Sequence, residues 1–142
     1  MTAREYFEAI GRLVDRLAYV QLLLANDGED WRPLGISGGE VPDPTLYEAQ
    51  RRVDRMSELA VEEDDLLEEI GRALVVIEGV RAAMGVSCGD ALELRYIDRW
   101  GIGRIARESR VSASTVKRRI ATGFEYVDTV GFAAASTGAG TA

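Results

Sequence analysis

"IARESRVSASTVKRRI", residues 105–120, sets apolar turns on either side of a Ser/Thr-rich corner and carries three consecutive basic residues, 117–119, near its end. Val116 and Ile120 follow the corner at helical spacing, and Ser112 stands where a helix N-cap belongs. The stretch therefore reads as helix, tight turn, helix. At about 100° per residue the second helix turns Val116, Ile120, Gly123 and Val127 to one side, above Ile105 and Val111. The opposite side displays Arg118 among Ser114, Ala121 and Thr122, with Lys117 and Arg119 on its flanks. Such a face, cationic at its centre and small at its edges, fits the major groove of DNA, where a guanidinium meets paired acceptors on guanine. Two residues go against the pattern. Arg110 occupies the corner position where glycine is usual, at a cost of about 1 kcal/mol if it turns left-handed, so a reshaped turn is expected. Gly123 weakens the second helix by about 1 kcal/mol against Ala, and a bend or fraying is expected beyond it.

Upstream, Asp90 is expected to cap a short helix through "ALELRYIDRW" (91–100), with Leu92, Tyr96 and Leu94 facing inward and Trp100 in the core; Gly101 separates it from "IGRIARES" (102–109). Residues 86–130 thus read as a trihelical unit with a helix-turn-helix at its end. The charge divides accordingly. Residues 1–90 hold 9 Arg against 19 acids, a net of −10, whereas residues 91–120 hold 8 Arg or Lys against 3 acids, a net of +5. An overall charge of −7 disfavours non-specific binding to nucleic acid, while the local excess is the footprint that phosphate contacts require.

The N-terminal part, 1–85, reads as a long, coiled-coil-like helical hairpin. Apolar residues recur by three or four at Ala3, Tyr6, Ile10, Leu13, Leu17, Val20 and Leu24. A loop at about 26–43 follows, rich in Gly and Pro. After Asp43-Pro44 a second stripe runs Leu46, Ala49, Val53, Met56, Ala60, Glu63, Leu67, Ile70, Leu74, Ile77, Arg81 and Met84, with Gly85 as its stop. The first helix covers only part of this stripe, so the rest must pack on the basic unit or on another chain. "ALVVIEGV" (73–80) is apolar over a wide arc and calls for more than one neighbour. Glu62, Glu63, Asp64 and Asp65 point to all sides of the helix and read as a solvated face. The Gly/Ser/Thr-rich tail, 131–142, is expected to be disordered.

With no histidine and one cysteine, Cys88, the chain lacks intramolecular disulfides, histidine-based zinc sites and histidine-dependent triads. No catalytic residue, metal site or cofactor is expected, and the protein reads as a non-enzyme. Its longest aliphatic run, Ala73 to Ile77, is too short to span a bilayer, and the N-terminus lacks a basic start before an apolar block, so a cytoplasmic protein without membrane contact is expected.

The segment "LELRYIDRWGIGRIARESRVSASTVKRRI" resembles region 4 of sigma-70 factors, through its "LRY", the "IA" pair, "VS" at the corner and "TVKRR" opening the recognition helix. The whole layout is similar to small phage transcription regulators of the ArpU/RinA type. The resemblance implies an all-α, sequence-specific DNA-binding regulator of phage or prophage genes, with double-stranded DNA and RNA polymerase as partners. Ser114, Lys117, Arg118 and Thr122 are the candidate base contacts; Arg99, Arg104, Ser112, Thr115 and Arg119 are the candidate phosphate contacts. A second copy of the chain, joined through the heptad stripe, is a further candidate partner. No aromatic-rich basic helix for melting a promoter is present, which sets the chain apart from a complete sigma factor. The alternative is a packaging or structural adaptor of the small-terminase kind, with an oligomerising hairpin.

Overall fold

A computed structural model describes residues 1–30 and 43–138. Most of those residues are helical, with no strand among them: α1 (Ala3–Asp30), α2 (Asp43–Met84), α3 (Val86–Tyr96), α4 (Ile102–Ser109), α5 (Ala113–Val130) and α6 (Phe132–Ala135). The 3.6-residue periodicity of the apolar residues is the cause, and the all-α class read from it holds. Helix α1 continues to Asp30 and α2 begins at Asp43, so residues 26–30 and 43 of the expected loop are helical; residues 31–42 lie outside the described residues. No described helix is long and apolar enough to cross a membrane.

The chain divides into two compact units. The first comprises residues 1–14 and 68–142. Its core gathers Ala3 and Phe7 of α1, Val76, Ile77 and Val80 of α2, Ala91, Leu92 and Tyr96 of α3, Ile105 and Ala106 of α4, and the inward side of α5. The Phe7, Tyr96 and Phe124 rings meet one another, Phe7 at centroid distances of 5.7 and 5.8 Å from the other two and those two 5.9 Å apart. The wide apolar arc at 73–80 is therefore met from several sides. Helix α3 packs on α4 and α5, and α4 and α6 pack on α5.

Two local predictions in this unit are corrected. Asp90 does not cap α3, which begins four residues earlier at Val86; its carboxylate accepts from Arg81 Nε and Nη2 at 3.1 and 3.0 Å. Arg81 also pairs with Glu78, and Glu93 lies 3.6 Å away, so one guanidinium ties the end of α2 to α3. The two helices meet so closely there that a Cβ on Gly89 would lie 2.6 Å from Arg81 Cβ. The corner is a single residue, Gly85, at φ 108°, a conformation that suits glycine. The tail is the second correction: residues 132–135 form α6, whose Phe132 ring packs 4.6 Å from Tyr6 and whose Ala135 is fully buried. Gly79 makes this docking possible, because a Cβ there would sit 1.5 Å from the Ala135 carbonyl oxygen. Residues 139–142 lie outside the described residues.

The second unit comprises residues 15–67, from α1 and α2. Val20, Leu59 and Leu66 are its buried apolar residues. Arg16 donates to both Glu62 carboxylate oxygens, at 2.5 and 2.9 Å. Within this unit the buried stripe of α2 is not the expected one, although Ile70 and Ile77 of that stripe are buried farther along the helix. Leu59 and Leu66 are buried here, whereas Leu46, Val53 and Leu67 remain 70%, 51% and 47% exposed. Apolar residues at adjacent positions, such as Leu66 and Leu67, satisfy the same period, and periodicity alone cannot choose between them.

Candidate nucleic-acid interface

Helix α4, a tight corner and α5 follow in the order helix, turn, helix that residues 105–120 suggest. Arg110 takes the left-handed conformation itself, at φ 58° and ψ 42°, so the turn is not reshaped. Its strain is offset by two backbone bonds, from Arg110 N to the Arg107 carbonyl and from Val111 N to the Ala106 carbonyl at 3.0 Å. Ser112 caps α5, accepting from Thr115 N at 3.1 Å. Arg99, at φ 60°, makes a second left-handed turn between α3 and α4, where the Trp100 N–H donates to the Leu94 carbonyl.

Helix α5 is anchored by its inward side: Val116, Ile120, Gly123, Phe124, Tyr126 and Val127 are buried. The expected fraying beyond Gly123 is absent, and the helix runs on to Val130. The glycine serves packing, since a Cβ there would approach Leu92 Cδ1 to 2.8 Å and Val80 Cγ1 to 3.5 Å. Close approach of α3 and α2 to α5 compensates for the lower helix propensity.

With that side buried, Ser114, Lys117, Arg118 and Ala121 are exposed on α5, and Thr122 is half-buried. Arg118 Nη2 donates to Thr115 Oγ1 at 3.3 Å, and the Thr115 and Ser112 hydroxyls lie 3.0 Å apart. These contacts join two candidate phosphate ligands and the central arginine in one exposed chain at the start of α5. Arg104 is exposed beside this motif, its guanidinium 3.8 Å from the Trp100 ring centroid, a stacked position that limits its rotamers.

Two of the expected phosphate contacts also lie beside neighbouring helices. Arg99 lies against α1: a Cβ on Gly11 would come within 2.2 Å of its Nη1. Arg119 is half-buried and lines a cavity of about 320 Å³ with Ser87, Asp90, Ser109 and Val116. Burial pushes the Cys88 thiol pKa up, and the nearby Arg119 charge opposes that shift. Two further arginines are exposed. Arg107 and Arg110 flank the corner from the α4 side, and neither was selected from the sequence. The charge segregation of residues 91–120 was the signal for them.

The basic surface has an end. Glu108 is the single acid from 101 to 124, whereas Glu125 and Asp128 follow on the exposed side of α5. Asp128 accepts from Ala3 N at 2.7 Å, and the Arg4 guanidinium lies 5.6 Å from the Phe124 ring centroid, so the start of α1 covers this half of α5. About ten residues, 113–122, remain to meet a groove. Chemically this surface can neutralise phosphates and present hydrogen-bond donors to base edges. Among the described residues, no cluster of carboxylates or thiols could hold a metal ion. No family model, curated protein or solved structure matches the chain.

Proposed function

We propose that the protein is a sequence-specific, DNA-binding transcription regulator, phage- or prophage-encoded and sigma-factor-like in its C-terminal unit, that reads the major groove with α5. The observation that carries this reading is the exposed first half of α5, where Lys117 and Arg118 stand between the small side chains of Ser114 and Ala121 on a rigidly buried helix. Arg118 reaches a guanine edge, with Lys117, Ser114 and Thr122 beside it. Ser112, Thr115 and Arg104 hold phosphates and fix the register, joined by Arg107 and Arg110. The role is binding, without catalysis or cofactor, in the cytoplasm, and RNA polymerase is the protein partner.

Enrichment of a randomised duplex pool on the full chain, at near-physiological salt, tests the reading. A recovered motif is expected. Arg118→Ala is expected to relax preference at one position, while Lys117→Ala weakens binding across sequences and flattens the salt dependence. Small, equal effects from both, with an unchanged salt slope, count against the docking. The second reading, a packaging adaptor, draws on the apolar residues left exposed on α2. A ring of many subunits in solution favours it over a regulator.

A further inference from the structure

We infer that the cavity between α3, α4 and α5 binds a small zwitterion, a free aliphatic α-amino acid, with its carboxylate on Arg119 and its ammonium on Asp90. The inference goes beyond the DNA-binding reading and does not depend on it, since Arg119 is not among the groups assigned to DNA there. The cavity, about 320 Å³, stands at the small end of the range that ligand sites occupy, and it lies wholly within the first unit. Its floor is apolar: Ala91 of α3, Ile105 of α4 and Val116 of α5 are buried. Four polar residues complete the lining, Ser87 and Asp90 from α3, Ser109 from α4 and Arg119 from α5. Three helices thus bring an apolar surface and a few polar groups of different chemistry to one small volume, the combination that holds and orients a small ligand.

Charge selects the occupant. Arg119 is half-buried, and among the described residues no carboxylate comes within 4.0 Å of its guanidinium. A partly desolvated cation of this kind gains from an anion brought to it. Asp90, in the same lining, belongs to a cluster in which Glu78, Asp90 and Glu93 surround the guanidinium of Arg81, three negative charges against one positive. Both bonds from Arg81 end on Asp90 Oδ1, which leaves Oδ2 for a further donor. Helix α5 therefore gives the cavity a positive charge and α3 a negative one, and the two do not neutralise each other. A simple anion is repelled from the α3 side and a simple cation from Arg119, whereas a zwitterion satisfies both. The hydroxyls of Ser87 and Ser109, neither of which bonds another described residue, can donate to the carboxylate or accept from the ammonium. What remains of an α-amino acid is its side chain, and Ala91, Ile105 and Val116 offer that part an apolar surface.

The test is isothermal titration calorimetry of the full chain without DNA, with L-leucine, L-valine and L-isoleucine as probes. Saturable binding of at least one of them is expected. For that probe, taken here as L-leucine, two analogues separate the charges. L-leucinamide lacks the carboxylate and 4-methylpentanoate lacks the ammonium, and each is expected to bind about tenfold more weakly or worse. Arg119→Ala is expected to weaken L-leucine by about tenfold and to leave L-leucinamide unaffected, because the group that Arg119 meets is already gone. Asp90→Asn, whose amide oxygen can still accept from Arg81, is expected to weaken L-leucine and to leave 4-methylpentanoate unaffected. Ser87→Leu, at an exposed position on the lining, is expected to fill the cavity and abolish binding while the helical circular dichroism is retained. No saturable heat with any of the three amino acids overturns the proposal. So does 4-methylpentanoate or L-leucinamide binding as tightly as L-leucine, or binding that survives Ser87→Leu. Failure of the duplex enrichment leaves the calorimetric result standing, so the two readings fail separately.

Discussion

Gly71 and Gly79 lie in the same helix, two turns apart, and the same substitution is expected to act on them with opposite sign. Around Gly71 no atom comes within 4 Å of an added Cβ. Gly71→Ala should therefore realise the ordinary helix-propensity gain of about 1 kcal/mol. At Gly79 the added methyl would lie 1.5 Å from the Ala135 carbonyl oxygen and 2.6 Å from its carbon, both backbone atoms that no rotamer change can move. Helix α6 must leave. The loss is the burial of Ala135 and half of Phe132, about 2 kcal/mol at 25 cal/mol per Å² of apolar surface, against the same propensity gain of about 1 kcal/mol. Gly79→Ala is thus destabilising by about 1 kcal/mol, and the two variants differ by about 2 kcal/mol. At roughly 4 °C per kcal/mol for a chain of this size, their thermal midpoints should separate by about 8 °C, on either side of the wild type. Hydrogen exchange adds a local readout. The amides of Ala135, Ser136 and Gly138, which donate to Gly131, Phe132 and Ala135 carbonyls, should lose protection in Gly79→Ala alone. If both variants stabilise equally and these amides stay protected, the docking of α6 against Gly79 is refuted.

Further outcomes follow from the corner and the ion pair. Arg110→Gly should stabilise the chain by about 1 kcal/mol by relieving the left-handed strain, and should weaken DNA binding if Arg110 touches phosphate; denaturant melts and a salt titration read the two effects independently, and a destabilised variant would contradict the assigned turn. The hydrogen bonds from Arg16 hold the Glu62 carboxyl below its ordinary pKa. Because the folded value is the lower one, the pair's contribution is present above the unfolded value, about 4.3, and disappears as pH falls through the folded value. The gap in denaturant midpoint between wild type and Glu62→Gln should accordingly be open at neutral pH and close on acidification; a gap independent of pH would exclude the pair as its source.

The outward face of α5 was legible in advance because it depends on local quantities alone. Once Val116, Ile120 and Val127 define the buried side, the helical period assigns Arg118 to the other. The surroundings of Arg99 and Arg119 were not legible for the complementary reason. A basic side chain can reach either solvent or a neighbouring helix, and only the tertiary structure sets the Arg99 guanidinium beside Gly11 of α1 and Arg119 in a cavity shared with Asp90 of α3. Asp90 itself satisfies the local rule for a cap, yet the charge of Arg81, nine residues earlier, claims its carboxylate once Gly85 has turned the chain.

The all-helical class, the helix-turn-helix with its capping Ser112, the stop at Gly85 and the segregation of positive charge onto residues 91–120 were determined by the sequence, since each rests on interactions within a few residues or on composition. Which apolar line of α2 is buried, whether the Phe132–Ala135 segment is ordered, and why Gly123 and Gly79 must be glycines were decided by tertiary contacts. Each depends on how closely helices distant in sequence approach one another, and a one-dimensional period carries no information about that distance.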